Sequence, residues 1–127
     1  MQIIVAKNSG FCPGVNSAIK KAIEIAQTTS KKVYTLGQLI HNNDVIKELE
    51  RKGIKAIENI SEIEDVKNSV LIIRAHGISP QLEEEIKKKG IEYVDATCPL
   101  VKKVHKIIQQ YKEKGYTTII FGDEKHA

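Results

Sequence analysis

Two short stretches of this sequence set a cysteine directly before a proline: Gly10-Phe11-Cys12-Pro13-Gly14 and Ala96-Thr97-Cys98-Pro99-Leu100. A helical pattern follows each one. Proline is favoured in a first helical turn because its missing N–H would be unpaired there anyway. Both sulfurs are therefore expected at helix N-termini, where the dipole and the free backbone N–H groups favour thiolate. Thiolates are the ligands that iron-sulfur clusters need. The chain holds just 2 cysteines, far apart and outside any C-x-x-C spacing, so neither a zinc ribbon nor a thioredoxin-type pair can be built from them. A structural disulfide is disfavoured in a reducing cytosol. Two inert buried thiols remain an open alternative to two ligands or nucleophiles brought together by the fold.

Three of the four histidines stand beside small, flexible residues: His41 after Gly37, His76 before Gly77 and His126 after Gly122. Glycine lets the backbone approach a ligand closely. Imidazole N–H groups donate to phosphate oxygens, and neighbouring helix N-termini add to an anion site. The fourth, His105, lies within Lys102-Lys103-Val104-His105-Lys106 and reads as a surface helix residue. Neither G-x-x-x-x-G-K-[ST] nor G-x-G-x-x-G occurs, which argues against ATP and against direct nicotinamide binding.

These residues need elements that converge them. Apolar runs rich in β-branched residues alternate with segments of helical period along the whole chain, the signature of an α/β fold with a parallel sheet and flanking helices. Strands are predicted at 2–6, 32–36, 55–57, 70–74, 92–95 and 117–121, and amphipathic helices at 15–26, 43–52, 80–89 and 99–114. Glycine follows a basic turn at Gly53, Gly90 and Gly115, a helix C-cap signal. The chemistry-bearing loops each follow a predicted strand, at the edge where open α/β sheets bind ligands. Both cysteines and three histidines are thus expected on one edge.

Composition narrows the function further. A chain of 127 residues with 41% hydrophobic content can build one real core. Twenty Lys and Arg against sixteen Asp and Glu leave a formal charge of only +4, with signs interspersed as in Glu83-Glu84-Glu85 followed by Lys87-Lys88-Lys89. That pattern reads as solvated helix faces, and with 5% aromatics there is little to bind nucleic acid. No run of eighteen or more apolar residues is present, and the first residues are too short and uncharged for a signal peptide. The expected setting is cytoplasmic, away from membranes.

Four motifs, in this order and spacing, carry a specific resemblance. Gly10-Phe11-Cys12-Pro13-Gly14-Val15, Gly37-Gln38-Leu39-Ile40-His41-Asn42, Arg74-Ala75-His76-Gly77 and Asp95-Ala96-Thr97-Cys98-Pro99-Leu100-Val101 resemble the 4-hydroxy-3-methylbut-2-enyl diphosphate reductases. The resemblance runs over the whole chain. It implies reduction of a hydroxylated allylic diphosphate to isopentenyl and dimethylallyl diphosphate, the last step of the non-mevalonate isoprenoid pathway. It also implies a 4Fe-4S cluster held by three cysteines, with one iron open to the substrate hydroxyl. Carried over residue by residue, it makes Cys12 and Cys98 two of the cluster ligands and His41, His76 and His126 the diphosphate-binding residues. Electrons are expected from a ferredoxin or flavodoxin, which patches such as Lys20-Lys21 or Lys102-Lys103 would steer.

The departures matter as well. The family's third cysteine and the Thr, Ser and Asn residues of its pocket have no counterpart here, and its proton-delivering glutamate would fall just past Ala127. Ala127 itself stands where proline is usual. The family's chains are about twice as long and form three α/β lobes. The expectation is therefore an N-terminal part of the enzyme, with a first lobe at 1–98, the start of a second at 99–127, and no turnover by this stretch alone. Two other readings stay open: a module holding zinc through Cys12, His41, His76 and Cys98, and a phosphate-binding α/β domain with inert thiols.

Overall fold

The computed structural model of the chain describes residues 1–7 and 9–122. Its centre is a four-stranded, wholly parallel sheet of β1 (Lys32–Leu36), β2 (Ile54–Ile57), β3 (Ser69–Ile73) and β4 (Glu92–Asp95), in the order β2-β1-β3-β4. Helices α1 (Pro13–Thr28), α2 (Asn43–Arg51), α3 (Pro80–Lys88) and α4 (Pro99–Glu113) complete it, with one 3-10 turn at Ile60–Glu62. Each of the four strands was expected within one residue of where it lies. The fold is the expected α/β arrangement.

Strand alternation divides the core into two halves. Val33 and Ile72 turn towards Ala18 and Ala22 of α1 and Leu49 of α2. Tyr34 and Leu71 turn the other way, towards Ile86 of α3, Ile60, Ile63 and Ile91. The central strand β3 is buried along its whole length, as parallel strands covered on both faces must be. Burying each such Leu or Ile contributes about 1.5–3 kcal/mol.

The predicted C-caps form as motifs. After α3, Gly90 takes φ 68°, its N–H reaches the Lys87 carbonyl at 3.0 Å and the Ile91 N–H reaches Ile86 at 3.2 Å. After α4 the same pair of bonds runs from Gly115 to Lys112 and from Tyr116 to Tyr111, and the two tyrosine rings meet edge-on at 5.4 Å. This is the Schellman arrangement with its accompanying side-chain contact.

Two expected strands do not form. Residues 2–6 and 117–121 lie outside the sheet among the described residues, with Ile4 82% and Ile119 90% exposed. Their β-branched composition is real, but a strand needs a neighbouring ladder, and strand propensity is chiefly a matter of such context. Helix α4 buries none of its residues, and Leu100, Val104, Ile107 and Tyr111 remain exposed on it.

Candidate functional site

The strand order decides where a ligand would sit. From β1 the chain moves outward through α2 to β2, then crosses back to place β3 on the other side of β1. The crevice outside the C-terminal ends of β1 and β3 is thus the topological switch point, the usual ligand position in open α/β sheets. His41 lies in the loop after β1 and His76 in the loop after β3. Their ring centroids are 5.1 Å apart with planes inclined by 40°. The Nδ1 atom of His76 is buried, and both histidines engage neighbouring groups.

Glycines shape these loops. Gly37 takes φ 68° and donates its N–H to the Ile57 carbonyl at 2.7 Å. A side chain there would also meet the Arg74 guanidinium, whose Nη1 lies 3.0 Å from where a Cβ would stand. Gly77 takes φ 79° and closes the Arg74–Gly77 turn with a 3.0 Å bond to the Arg74 carbonyl.

Cys12 and Cys98 are the N-cap residues of α1 and α4, each followed by proline in the first turn, and neither side chain makes a capping hydrogen bond. Both thiols are free, Cys12 exposed and Cys98 partly buried. The Cys98 backbone is fixed from two sides: its N–H donates to the Ala75 carbonyl at 2.9 Å, and its carbonyl accepts from Lys102 N–H at 2.9 Å. Cys98 therefore hangs directly on the residue before His76. Gly14, in the first turn of α1, lies against Cys98 so closely that a Cβ there would stand 2.9 Å from the Cys98 Cβ and closer still to Sγ. The fold thus brings the start of α1, the Cys98 turn and the His76 turn together.

Asp95, at the end of β4, joins both cysteine-bearing helices. Lys102 of α4 pairs with its Oδ2, Lys21 of α1 donates to its main-chain carbonyl at 3.3 Å, and its Oδ1 accepts from Thr97 N–H at 2.8 Å. Burial alone would raise the Asp95 carboxyl, but the Lys102 ammonium and the Thr97 bonds outweigh it and hold the group below the ordinary carboxylate range. Sequence reasoning quoted this residue without giving it a role and read Lys21 and Lys102 as parts of surface patches that would steer an electron donor. The only available signal was the spacing of Asp95 and Cys98 around a strand-to-helix turn.

The clefts lie beside this array. One of about 320 Å³ is lined by Gly37, Asn59, Arg74 and Ser79 among others, and one of about 970 Å³ lies between α3 and α4 beside Arg74, Gly77 and His105. Neither is lined by a cysteine, His41 or His76, so chemistry and topology, not cavity size, mark the site. His105 is exposed on α4, as expected, yet its Cε1 lies 2.9 Å from where a Gly77 Cβ would stand. His126 lies outside the described residues. Among the described residues no group of three or more His, Cys, Asp and Glu forms a metal site, and no helix is long and apolar enough to cross a membrane.

Known proteins resemble the chain in sequence and in fold. The family model described as LytB protein matches residues 3–127, and the chain belongs to that family. It is 46% identical over 127 residues to the 4-hydroxy-3-methylbut-2-enyl diphosphate reductase of Caldanaerobacter subterraneus subsp. tengcongensis, covering 99% of this chain and 44% of the relative. It is 48% identical over 127 residues to the protein of that name from Campylobacter jejuni, covering 99% of this chain and 43% of the relative. The solved structure of the E-1-hydroxy-2-methyl-but-2-enyl-4-diphosphate reductase from Plasmodium falciparum superposes with a TM-score of 0.88 at 39% identity, over 94% of this chain and 37% of that one. A second solved reductase, described as the terminal enzyme of the non-mevalonate pathway, gives a TM-score of 0.82 at 40% identity over 98% of this chain and 43% of that one. The chain spans less than half the length of these relatives.

Proposed function

We propose that this chain carries the cluster-binding and diphosphate-binding edge of a 4-hydroxy-3-methylbut-2-enyl diphosphate reductase. The observation that carries the reading is the convergence on one sheet edge of two cysteine-started helices and a histidine pair at the β1/β3 switch point. The overall change is a reductive dehydroxylation: the C4–O bond breaks, two electrons and two protons enter, and the hydroxyl oxygen leaves as water. The electrons come from a ferredoxin or flavodoxin in the cytoplasm, where the thiols stay reduced.

The donor set suits a 4Fe-4S cluster. Cys12 and Cys98 stand at helix starts whose first-turn N–H groups face no side-chain cap, a setting that suits a bound anionic group, and cysteine sulfur is the ligand such clusters take. They are two of its protein ligands, the third being absent from the 127 residues. When bound, the cluster supplies the electrons and a Lewis-acidic iron. The chain's own residues do the rest. His41 and His76 donate N–H bonds to diphosphate oxygens and orient the allylic carbon, remote binding energy serving the reacting centre. His126 is the third such donor. Arg74, over Gly37 at the same edge, adds positive charge close to the crevice.

Residues 1–98 make the first lobe in this reading, and 99–127 open a second. The exposed stripe of Leu100, Val104, Ile107 and Tyr111 on α4 supports that division, since a surface of this kind ordinarily marks an interface. The test is anaerobic reconstitution of the intact protein, with iron, labile sulfide and diphosphate affinity measured together. Iron and sulfide bound through both cysteines support the reading. Tetrahedral zinc, or unaltered protein that takes up neither iron nor sulfide yet binds diphosphate, would overturn it.

A further inference from the structure

Gly14 is the second residue of α1, is buried, and lies outside the left-handed region of backbone conformation. Alanine is sterically allowed on that backbone and is the better helix former, so neither conformation nor propensity accounts for glycine there. Space does. Gly14 heads the buried row Gly14, Ala18 and Ala22 of α1, and the last two belong to the same core cluster as Val33, Ile72 and Ala96.

At the top of the row the neighbour is Cys98. A methyl group on residue 14 would collide with both Sγ and Cβ of Cys98, the latter at 2.9 Å, with the Cys98 Cα at 3.8 Å. Rotating the thiol moves Sγ but leaves Cβ in place, so a side-chain rearrangement cannot relieve the clash. The Cys98 backbone cannot yield freely either, being bonded to Ala75 on one side and to α4 on the other. Whatever moves Cys98 therefore moves the residue next to His76. Cys12 sits two residues before Gly14 on the same helix start.

We infer that Gly14 is a positioning residue: its missing side chain sets how closely the Cys12 end of α1 approaches the Cys98 thiol and the His76 turn. The significance for the cluster rests on the function proposed above, whereas the steric claim stands apart from it.

The experiment uses the intact protein with Gly14→Ala, Cys98→Gly and the double variant. In metal-free protein, native-state alkylation by iodoacetamide followed by peptide mass spectrometry reads the Cys98 rate against the Cys12 rate. Gly14→Ala is expected to change the Cys98 rate severalfold and to lower the thermal midpoint. In the Cys98→Gly background, where the colliding atoms are gone, the same substitution is expected to raise the midpoint. After anaerobic reconstitution, loss of the cluster to a chelator is expected to be on the order of 10- to 100-fold faster for Gly14→Ala, the range seen when atoms supporting a metal ligand are altered. If Gly14→Ala does not fold alone, recovery of folding in the double variant still supports the inference. A raised midpoint in both backgrounds with an unchanged Cys98 alkylation rate would overturn it. If the unaltered protein takes up no iron, the cluster reading fails, while alkylation and the stability cycle still decide the role of Gly14.

Discussion

The four α-helices of the described residues begin in two different ways. Helices α2 and α3 start from oxygen caps: Asn42 Oδ1 accepts from Asp44 and Val45 N–H, each at 3.1 Å, and Ser79 Oγ accepts from Leu82 N–H at 3.3 Å. Helices α1 and α4 start from cysteines whose sulfurs accept no capping bond. An oxygen cap satisfies donors that would otherwise stay unpaired and contributes roughly 0.5–2 kcal/mol, so a chain under selection for stability alone has no reason to place sulfur there. The first pair of helix starts serves the fold. In the second pair local stability is forgone and the first-turn N–H groups carry no side-chain cap, as the proposed ligand role would leave them.

Replacing the sulfurs should produce the largest contrast. Cys12→Ser and Cys98→Ser are each expected to abolish retention of iron and labile sulfide after anaerobic reconstitution of the intact protein. The metal-free forms should at the same time be no less stable, and up to about 1 kcal/mol more stable in urea melts, because serine supplies the missing cap. Retained iron and sulfide in both variants would remove the ligand assignment. A stability loss typical of a core cavity would instead mark the thiols as packing groups.

Next in size come the histidines. His41→Ala and His76→Ala should keep the cluster and weaken diphosphate binding by about 1.5–3 kcal/mol each, the range for hydrogen bonds to a charged group. Calorimetric titration with inorganic diphosphate measures this directly. Because the rings lie 5.1 Å apart, the two losses should not add in the double variant. Iron lost from these variants but kept in the cysteine variants would favour the mixed Cys and His zinc site. On the oxygen-capped side, Ser79→Ala should lower stability by about 1 kcal/mol and leave iron content unchanged.

The sheet was largely legible in the sequence because the strands were short, carried β-branched residues and were bounded by turn residues, and because three of the four described α-helices carried Gly just past their ends. Segments 2–6 and 117–121 carry the same local signal as β1 and were read as strands for that reason. What separates them from β1 is a pairing partner, which no local pattern contains. At the site, the positions of Cys12 and Cys98 at helix starts followed from the Cys-Pro pairs, and His41 and His76 fell in the loops after β1 and β3 as expected. The spacing role of Gly14 was invisible because it depends on Cys98, at the far end of the lobe. Lys21 and Lys102 look like solvated lysines in any sequence window, and only the fold shows that both reach Asp95.

Asp95 supplies the smallest effect and the finest test of what ties the two cysteine starts together. Its carboxyl is held below the ordinary range despite partial burial, through Lys102 and Thr97. A group whose folded value is depressed contributes stability above its unfolded value, about 3.9 for aspartate, and that contribution is lost as pH falls through the folded value. Asp95→Asn keeps an acceptor for Thr97 N–H but removes the charge that Lys102 faces. The variant should therefore be less stable at neutral pH and decline less steeply below about pH 4. The acid limb should not vanish, because Glu83, lowered by Lys87 and Tyr93, and Asp65, lowered by Asn68, titrate in the same direction. The pair is more than a third exposed, so the neutral-pH difference should be modest and should shrink in high salt. Urea melts at stepped pH in low and high salt measure both quantities. Acid limbs that superimpose for the two proteins would show that Lys102 does not stabilise the carboxylate, so that Asp95 ties itself to α1 through the Lys21 bond to its carbonyl but not electrostatically to α4.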